Sequence, residues 1–389
     1  MCSKTAMKTK IFTGLLLIYL SVMSIYFYTH QYYNADIEAY MGLVYKMNEP
    51  EMSITDIHKK VFDELKVRNP NIFADKSEPE AETIGANYYY YTLSNNVKAY
   101  EEELEFFTVK PLYNVINSVF YKLGASASTS TFLISIISYI SIIFLVFIFL
   151  NHQVKKTELA FILTILISLF KPLLDSTRHA TPDMLACLLL LLAVYFFVYK
   201  KNILLTTIFS MLTIFTRPEY FIFFSFLLVL IVIFRRSFPY KISEIAICYL
   251  FLSLSFITIQ LYSKISWGVL FMNQFTKVQY FPITNPDAFI LSDYINFIKK
   301  KIFLEFNSSY FVILLIFSII IFGKALYDKR KKGTQVWLAF SFIITIYISV
   351  FVRFLSFPIL VNRMMIGFYL LIILCIITYH FDPKKNTDH

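Results

Sequence analysis

Nine ionisable residues in this sequence stand beside long apolar runs, where a charge is expensive unless it serves a purpose. They are Asp36, Glu38, Lys110, Arg178, Asp183, Arg217, Glu219, Arg353 and Arg363. A carboxylate in such a place can take a proton from a hydroxyl. Lysine and arginine can hold a phosphate or neutralise charge that develops on one. Asp36 and Glu38 are two apart in Tyr33-Asn34-Ala35-Asp36-Ile37-Glu38. On a helix they point about 200° apart, so only one can face a common site. Asp36 equally suits a helix N-cap. Lys110 precedes Pro111 at the start of an expected helix, where free backbone N–H groups add to its charge. That corner fits a phosphate, or a lysine reaching for lipid headgroups.

The segment Lys171–Asp183 offers Asp175, His179 and Asp183 at four-residue spacing, a pattern that can present three metal ligands on one helix face. Pro182 interrupts such a helix, and Thr181-Pro182-Asp183 reads as a new helix start with Asp183 in its first turn. Capping and chemistry are equally open to Asp183. Arg217-Pro218-Glu219 is either a self-neutralising turn or a site for an anion. Arg353 and Arg363 bracket a late turn. A hydrolase triad, a GxxxxGK[ST] phosphate loop and a ligand-spaced His/Cys cluster are all absent from the sequence. A divalent metal is left open, and no other cofactor is implied.

These residues need a scaffold, and composition says which. Of 389 residues, 57% are hydrophobic and 16% charged, with a mean hydropathy of +0.61. A soluble domain carries roughly 25% charge. Soluble enzymes, disordered chains and disulfide scaffolds are excluded. Four scattered cysteines cannot form a disulfide framework. Apolar runs at about 11–29, 130–150, 158–174, 183–199, 203–216, 219–234, 243–262, 308–325, 335–352 and 360–379 predict an all-α polytopic membrane protein. The expectation is about ten transmembrane helices in one membrane domain, 1–389.

The net charge of +10 is a topology signal and implies no nucleic-acid partner. Residues 30–110 hold 15 of the 26 acidic residues and 8 of the 36 basic ones. Lysine and arginine elsewhere gather in turns: Lys4 to Lys10, Lys155-Lys156, Lys200-Lys201, Arg235 to Lys241, Lys324 to Lys332 and Lys384-Lys385. By the positive-inside rule these turns and both termini are cytoplasmic. The chain then lies in the cell (inner or plasma) membrane. Residues 30–129 and 263–307 form two long non-cytoplasmic loops, and the nine ions gather on that outer side. In the first loop, Ile37, Tyr40, Met41 and Val44 predict an amphipathic helix on the outer membrane face. Leu112, Val115, Ile116, Val119 and Phe120 predict a second.

Four motifs in order carry a resemblance: Asp36-Ile37-Glu38, Phe107-Thr108-Val109-Lys110-Pro111-Leu112-Tyr113, Arg178-His179-Ala180-Thr181-Pro182-Asp183 and Thr216-Arg217-Pro218-Glu219. Across residues 11–235 the chain resembles the GT-C superfamily of integral-membrane glycosyltransferases, among them protein O-mannosyltransferases and lipid A aminoarabinose transferases. It differs from them in a single proline after Lys110, where Lys-Pro-Pro is common, and in an Asp-x-Glu pair after the first span.

The resemblance implies a sugar donor on a polyprenyl phosphate and a glycan, lipid or protein acceptor in the cell envelope. Reaction would occur at the outer face with inversion at the anomeric carbon. It implies Asp36 as base with Glu38 as the alternative, and Lys110, Arg217, Arg363 and Arg353 on the donor phosphate. Asp183, Arg178 and Glu219 would contact acceptor or sugar. Two rivals are an O-antigen-type polymerase or ligase, which would favour arginines in late loops, and a lipid-linked glycan flippase or other transporter. A transporter would favour mid-membrane charges and related halves.

Overall fold

The computed structural model describes residues 2–34, 36–70, 86–154, 156–235, 238–271, 279–327 and 334–381. Every regular element among them is a helix. Met7–Thr29 of α1 (Cys2–Thr29), α7 (Ala127–Gln153), α13 (Ile242–Tyr262) and Ala339–Ser356 of α17 (Thr334–Ser356) are long and apolar enough to cross a membrane. The number is six if each of two bent pairs counts as one span: α8 with α9 (Thr157–Ser168, Lys171–Thr177) and α15 with α16 (Leu291–Ser308, Phe311–Tyr327). The chain is an all-helical, membrane-embedded protein.

The expected count of about ten transmembrane helices is corrected to four, or six if each bent pair is one span, among the described residues. All ten apolar runs are helical, but α10 (Asp183–Val198), α11 (Ile203–Thr216), α12 (Tyr220–Ile233) and the apolar part of α18 (Ile366–Phe381) are short. A helix of 14 residues such as α11 rises about 21 Å, less than a hydrocarbon core of about 30 Å. The run expected over 158–174 breaks because Pro172 opens a separate helix, bent 62° from α8. Of the basic turns, Lys155, Arg236, Lys329–Lys332 and Lys384-Lys385 lie outside the described residues.

Two large hydrophobic cores and a small third around Phe322 and Ile343 result among the described residues. One joins α1, α7 to α13 and α16 to α18 into the bundle. The other lies within an outer layer built from α2 (Asp36–Asn48), α3 (Ile54–Arg68), α4 (Ala86–Asn95), α5 (Val97–Thr108), α6 (Pro111–Lys122) and the start of α7. Helix α2 corrects a second expectation. Ile37 through Tyr45 are all buried, so it is an enclosed core helix rather than one lying half-exposed on a surface. Gly42 permits this: a β-carbon there would run into the Tyr100 hydroxyl, which donates to the Glu38 carbonyl at 2.9 Å.

Helix α6 has the expected apolar stripe, but only Leu112, Ile116 and Phe120 of it pack against the second core. Val115 and Val119 are exposed, while Tyr113, Asn114, Asn117 and Ser118 are buried. Three of these inner groups donate hydrogen bonds: Tyr113 to the Thr131 carbonyl at 3.0 Å, Asn114 to the Phe107 carbonyl at 2.9 Å and Ser118 to Asn48 Oδ1 at 2.8 Å.

The two long loops pack together through acids of α5. The Glu102 carboxylate accepts from the amides of Ile283 and Thr284 and from the Thr284 hydroxyl, at 2.8, 3.2 and 2.7 Å. Glu105 lies 3.4 Å from Lys46 and 3.1 Å from Lys264. A carboxylate with three donors is an anchor, since hydrogen bonds to charged groups are worth about 1.5–3 kcal/mol each. Glu102→Ala is therefore expected to speed amide hydrogen exchange at Ile283 and Thr284 at least tenfold. Exchange rates equal to wild type there would remove Glu102 as the anchor.

Candidate functional site

The sequence-predicted ions sit at element ends. Asp36 opens α2 after a short linker from α1. That linker is held by the Tyr32 amide donating to the Arg178 carbonyl at 2.8 Å. Asp183 opens α10 behind Pro182, and Thr181 Oγ1 donates to its Oδ2 at 2.8 Å. Arg217 caps the end of α11, Glu219 precedes α12, Arg353 lies in the last turn of α17 and Arg363 in the turn before α18. Lys110 stands at the N-cap of α6 with Pro111 at the first helical position. Ends serve this purpose well, since backbone groups there are unpaired and the chain changes direction.

Six of these ions form one alternating network. Arg363 Nη1 lies 2.5 Å from Asp36 Oδ2, and its Nε lies 3.8 Å from Asp183 Oδ2. Arg217 Nη1 contacts Asp183 Oδ1. Arg217 also donates from Nε to Glu219 Oε1 at 2.8 Å, with Nη2 at 2.6 Å. Arg353 Nη2 is 3.6 Å from the same oxygen, and its Nη1 donates to the Ile359 carbonyl at 2.9 Å. The order is Asp36, Arg363, Asp183, Arg217, Glu219, Arg353. Each buried charge thus has an opposite neighbour, without which burial would be prohibitive.

Lys110 makes the ensemble cationic. Its ammonium has no ion pair or hydrogen bond among the described residues. It rests over the Phe107 ring at 4.5 Å and the Tyr40 ring at 5.5 Å. Two further donors there are unsatisfied: the buried Tyr40 hydroxyl and Arg353 Nε. Exposure locates the open end. The side chains of Asp183 and Arg217 are 1% and 7% exposed, those of Arg363 and Asp36 18% and 24%. A ligand from outside therefore meets Asp36, Arg363 and the half-buried Lys110.

Charge states follow from these neighbours. Burial opposes ionisation of Asp36, but Arg363 and Lys110 outweigh it and hold the carboxyl below its usual range. Burial likewise opposes Glu219, and Arg217 and Arg353 hold it down at about 2. Lys110 is pushed down to about 8 by burial, with Asp36 offsetting part of the loss. Its ammonium is charged below that pH and neutral above it. Affinity for inorganic phosphate is therefore expected to fall as pH rises from 7 to 9. Lys110→Arg should flatten that fall, since a guanidinium stays charged throughout. Calorimetric titration across the range checks this, and an identical fall in the arginine variant would exclude Lys110 as its origin.

Some expected residues do not join. Glu38 is fully buried in the outer core, and neither carboxylate oxygen has a hydrogen-bond partner. Burial, Glu103 and Asp36 push its carboxyl well above the usual range, so it is neutral and enclosed. Arg178 donates to the His30 carbonyl at 2.7 Å and lies over the Tyr32 ring at 5.1 Å. The candidate metal triad is dispersed: Asp175 pairs with Lys171 at 3.2 Å, the His179 imidazole meets the Asp175 carbonyl, and Asp183 is taken by arginines. Among the described residues no three His, Cys, Asp or Glu side chains gather as a metal site.

Three contributors escape sequence reasoning. Asn34 Nδ2 donates to Asp36 Oδ2 at 2.8 Å and fixes its rotamer. Thr181 does the same for Asp183. Tyr40 forms the wall beside Lys110. Its spacing of one helical turn from Asp36 was the available signal, masked by its place in an apolar stripe. A carboxylate beside a surplus of cations can accept a proton at one point and stabilise an oxyanion at another. No protein-family model, curated protein or solved structure matches the chain.

Proposed function

We propose that the chain is a membrane glycosyltransferase of the GT-C type. It would move a sugar from a polyprenyl-phosphate donor to an acceptor hydroxyl at the non-cytoplasmic face, with inversion. The observation that carries this reading is the meeting of Asp36, Lys110 and Arg363, far apart in sequence, at the accessible end of a cationic network. Spanning helices joined by short apolar ones, with both termini cytoplasmic, complete the topology we propose.

In this mechanism the acceptor hydroxyl gives its proton to Asp36 while its oxygen attacks the anomeric carbon. The bond from that carbon to the phosphate oxygen breaks, and the electron pair leaves with the phosphate. Lys110 and Arg363 stabilise the departing charge directly. Arg217 and Arg353, enclosed behind them, add positive potential and keep Asp183 and Glu219 neutralised. Asp183 orients Arg363 from behind. Asp36 starts as an ionised but weak base, restrained by Arg363 and Lys110. An arriving phosphate competes for both cations, so the carboxylate becomes more basic only when donor is present. Glu38, enclosed and neutral, is assigned no step.

The test is transfer itself. Purified chain in vesicles, given isotopically labelled sugar on polyprenyl phosphate and an extract of envelope glycans, lipids and proteins, should label one acceptor class. Movement of the intact labelled donor across the bilayer with no transfer would favour the transporter and end this reading.

A further inference from the structure

Helix α15 (Leu291–Ser308) has no buried residue, yet it is firmly held on one side. The Tyr294 hydroxyl donates to the carbonyls of Leu355 and Ser356, both at 3.0 Å. Glu305 accepts the Leu360 amide at 2.8 Å and pairs with Lys301 at 3.4 Å. The opposite side carries Lys299, Lys300, Phe303 and Leu304. Phe303 is 76% exposed and Leu304 61%. Lys299 and Lys300 are exposed and have no ion pair or hydrogen bond among the described residues.

We propose that this outward side of α15 is a docking surface for acidic phospholipid headgroups. The spacing is the first argument. Lys299 and Phe303 are four apart, as are Lys300 and Leu304, so each ammonium sits one turn, about 5.4 Å, from an apolar contact. An interfacial helix needs this pattern: apolar side chains at the acyl boundary and flexible lysine stems reaching the phosphates. Continuity is the second argument. After a bend of 63°, α16 exposes Ile316, Phe317 and Ile320, an apolar surface suited to acyl chains. Phe303 and Leu304 extend that surface to the bend, and the lysines begin just beyond it. Charge is the third. A second copy placed on this face by two-fold symmetry would set lysine against lysine, whereas an acidic headgroup complements it. Free phosphate would leave the two apolar side chains without a role.

The attraction expected is about 1 kcal/mol per lysine near an acidic surface, or about fivefold in local lipid preference for each. The experiment uses the full chain with p-benzoylphenylalanine at Asn307, reconstituted in vesicles of nine parts phosphatidylcholine to one part phosphatidylglycerol. Light-induced adducts on the outward side of α15 should contain phosphatidylglycerol several-fold above its share of the bilayer. K299Q/K300Q should return the adducts to bulk composition with the total yield unchanged, and Lys299→Arg with Lys300→Arg should keep the enrichment. Adducts at bulk composition in the parent chain, enrichment that survives K299Q/K300Q, or cross-links to a second copy would each overturn the proposal.

Discussion

Asp36→Asn is expected to lower sugar transfer by about a thousandfold or more while the protein stays folded and inserted. Asparagine keeps the shape and can still accept from Asn34 Nδ2, which now meets Asp36 Oδ2 at 2.8 Å. It cannot take the acceptor proton, and a positioned base contributes about 10² to 10⁴ in rate. Arg363 loses one of two carboxylate neighbours but retains Asp183, so the network is weakened at its open end rather than broken. The measurement is the initial rate of labelled-sugar transfer by reconstituted protein, with thermal melting alongside. Donor binding should persist or tighten, because Arg363 and Lys110 no longer share their charge with a carboxylate. Transfer within tenfold of wild type would remove Asp36 as the base.

Arg217→Gln should damage the fold instead. Arg217 lies between Asp183 and Glu219, both largely enclosed, and its loss leaves two carboxylates facing each other across a poorly solvated space. Removing one partner of a buried ion pair costs about 3–5 kcal/mol. A clearly lowered melting temperature and a reduced yield of folded protein in detergent are therefore expected. D183N/R217Q removes one stranded acid together with the cation and should recover much of the stability. Its transfer activity should stay low, because Asp183 also orients Arg363. A single R217Q variant that melts with wild type would show that the alternating charges do not hold the bundle together.

Much of this arrangement is written in local chemistry. Apolar runs marked the helices, and Pro111 and Pro182 marked helix starts, whereas Pro172, inside the run expected over 158–174, opens a separate helix. Ions next to apolar runs marked six network members, because such ions rarely survive without partners. What periodicity cannot resolve is which apolar face meets protein and which meets lipid, since both favour the same side chains. This is why α6 exposes Val115 and Val119 while burying Asn114 and Asn117, and why α2 is enclosed on every side. The span count failed for a related reason: the runs over 183–199, 203–216 and 219–234 form helices with nearly those bounds, but turns at Tyr199 to Asn202 and Arg217 to Glu219 leave them shorter than a full crossing. Glu38 and Glu102 were opaque because a carboxylate's fate depends on distant residues. Glu102 meets Ile283 and Thr284, and Glu38 meets a wall of apolar side chains.

The pairing of Asp36 with Arg363 joins the first outer helix to the last turn of the bundle. Synthesis makes the acid long before its counter-ion. Until Arg363 is made, the layer built on α2 holds an acid awaiting a distant cation, so its final seating waits for the helices that follow. Biogenesis of this layer then includes the slow search that long-range contacts impose.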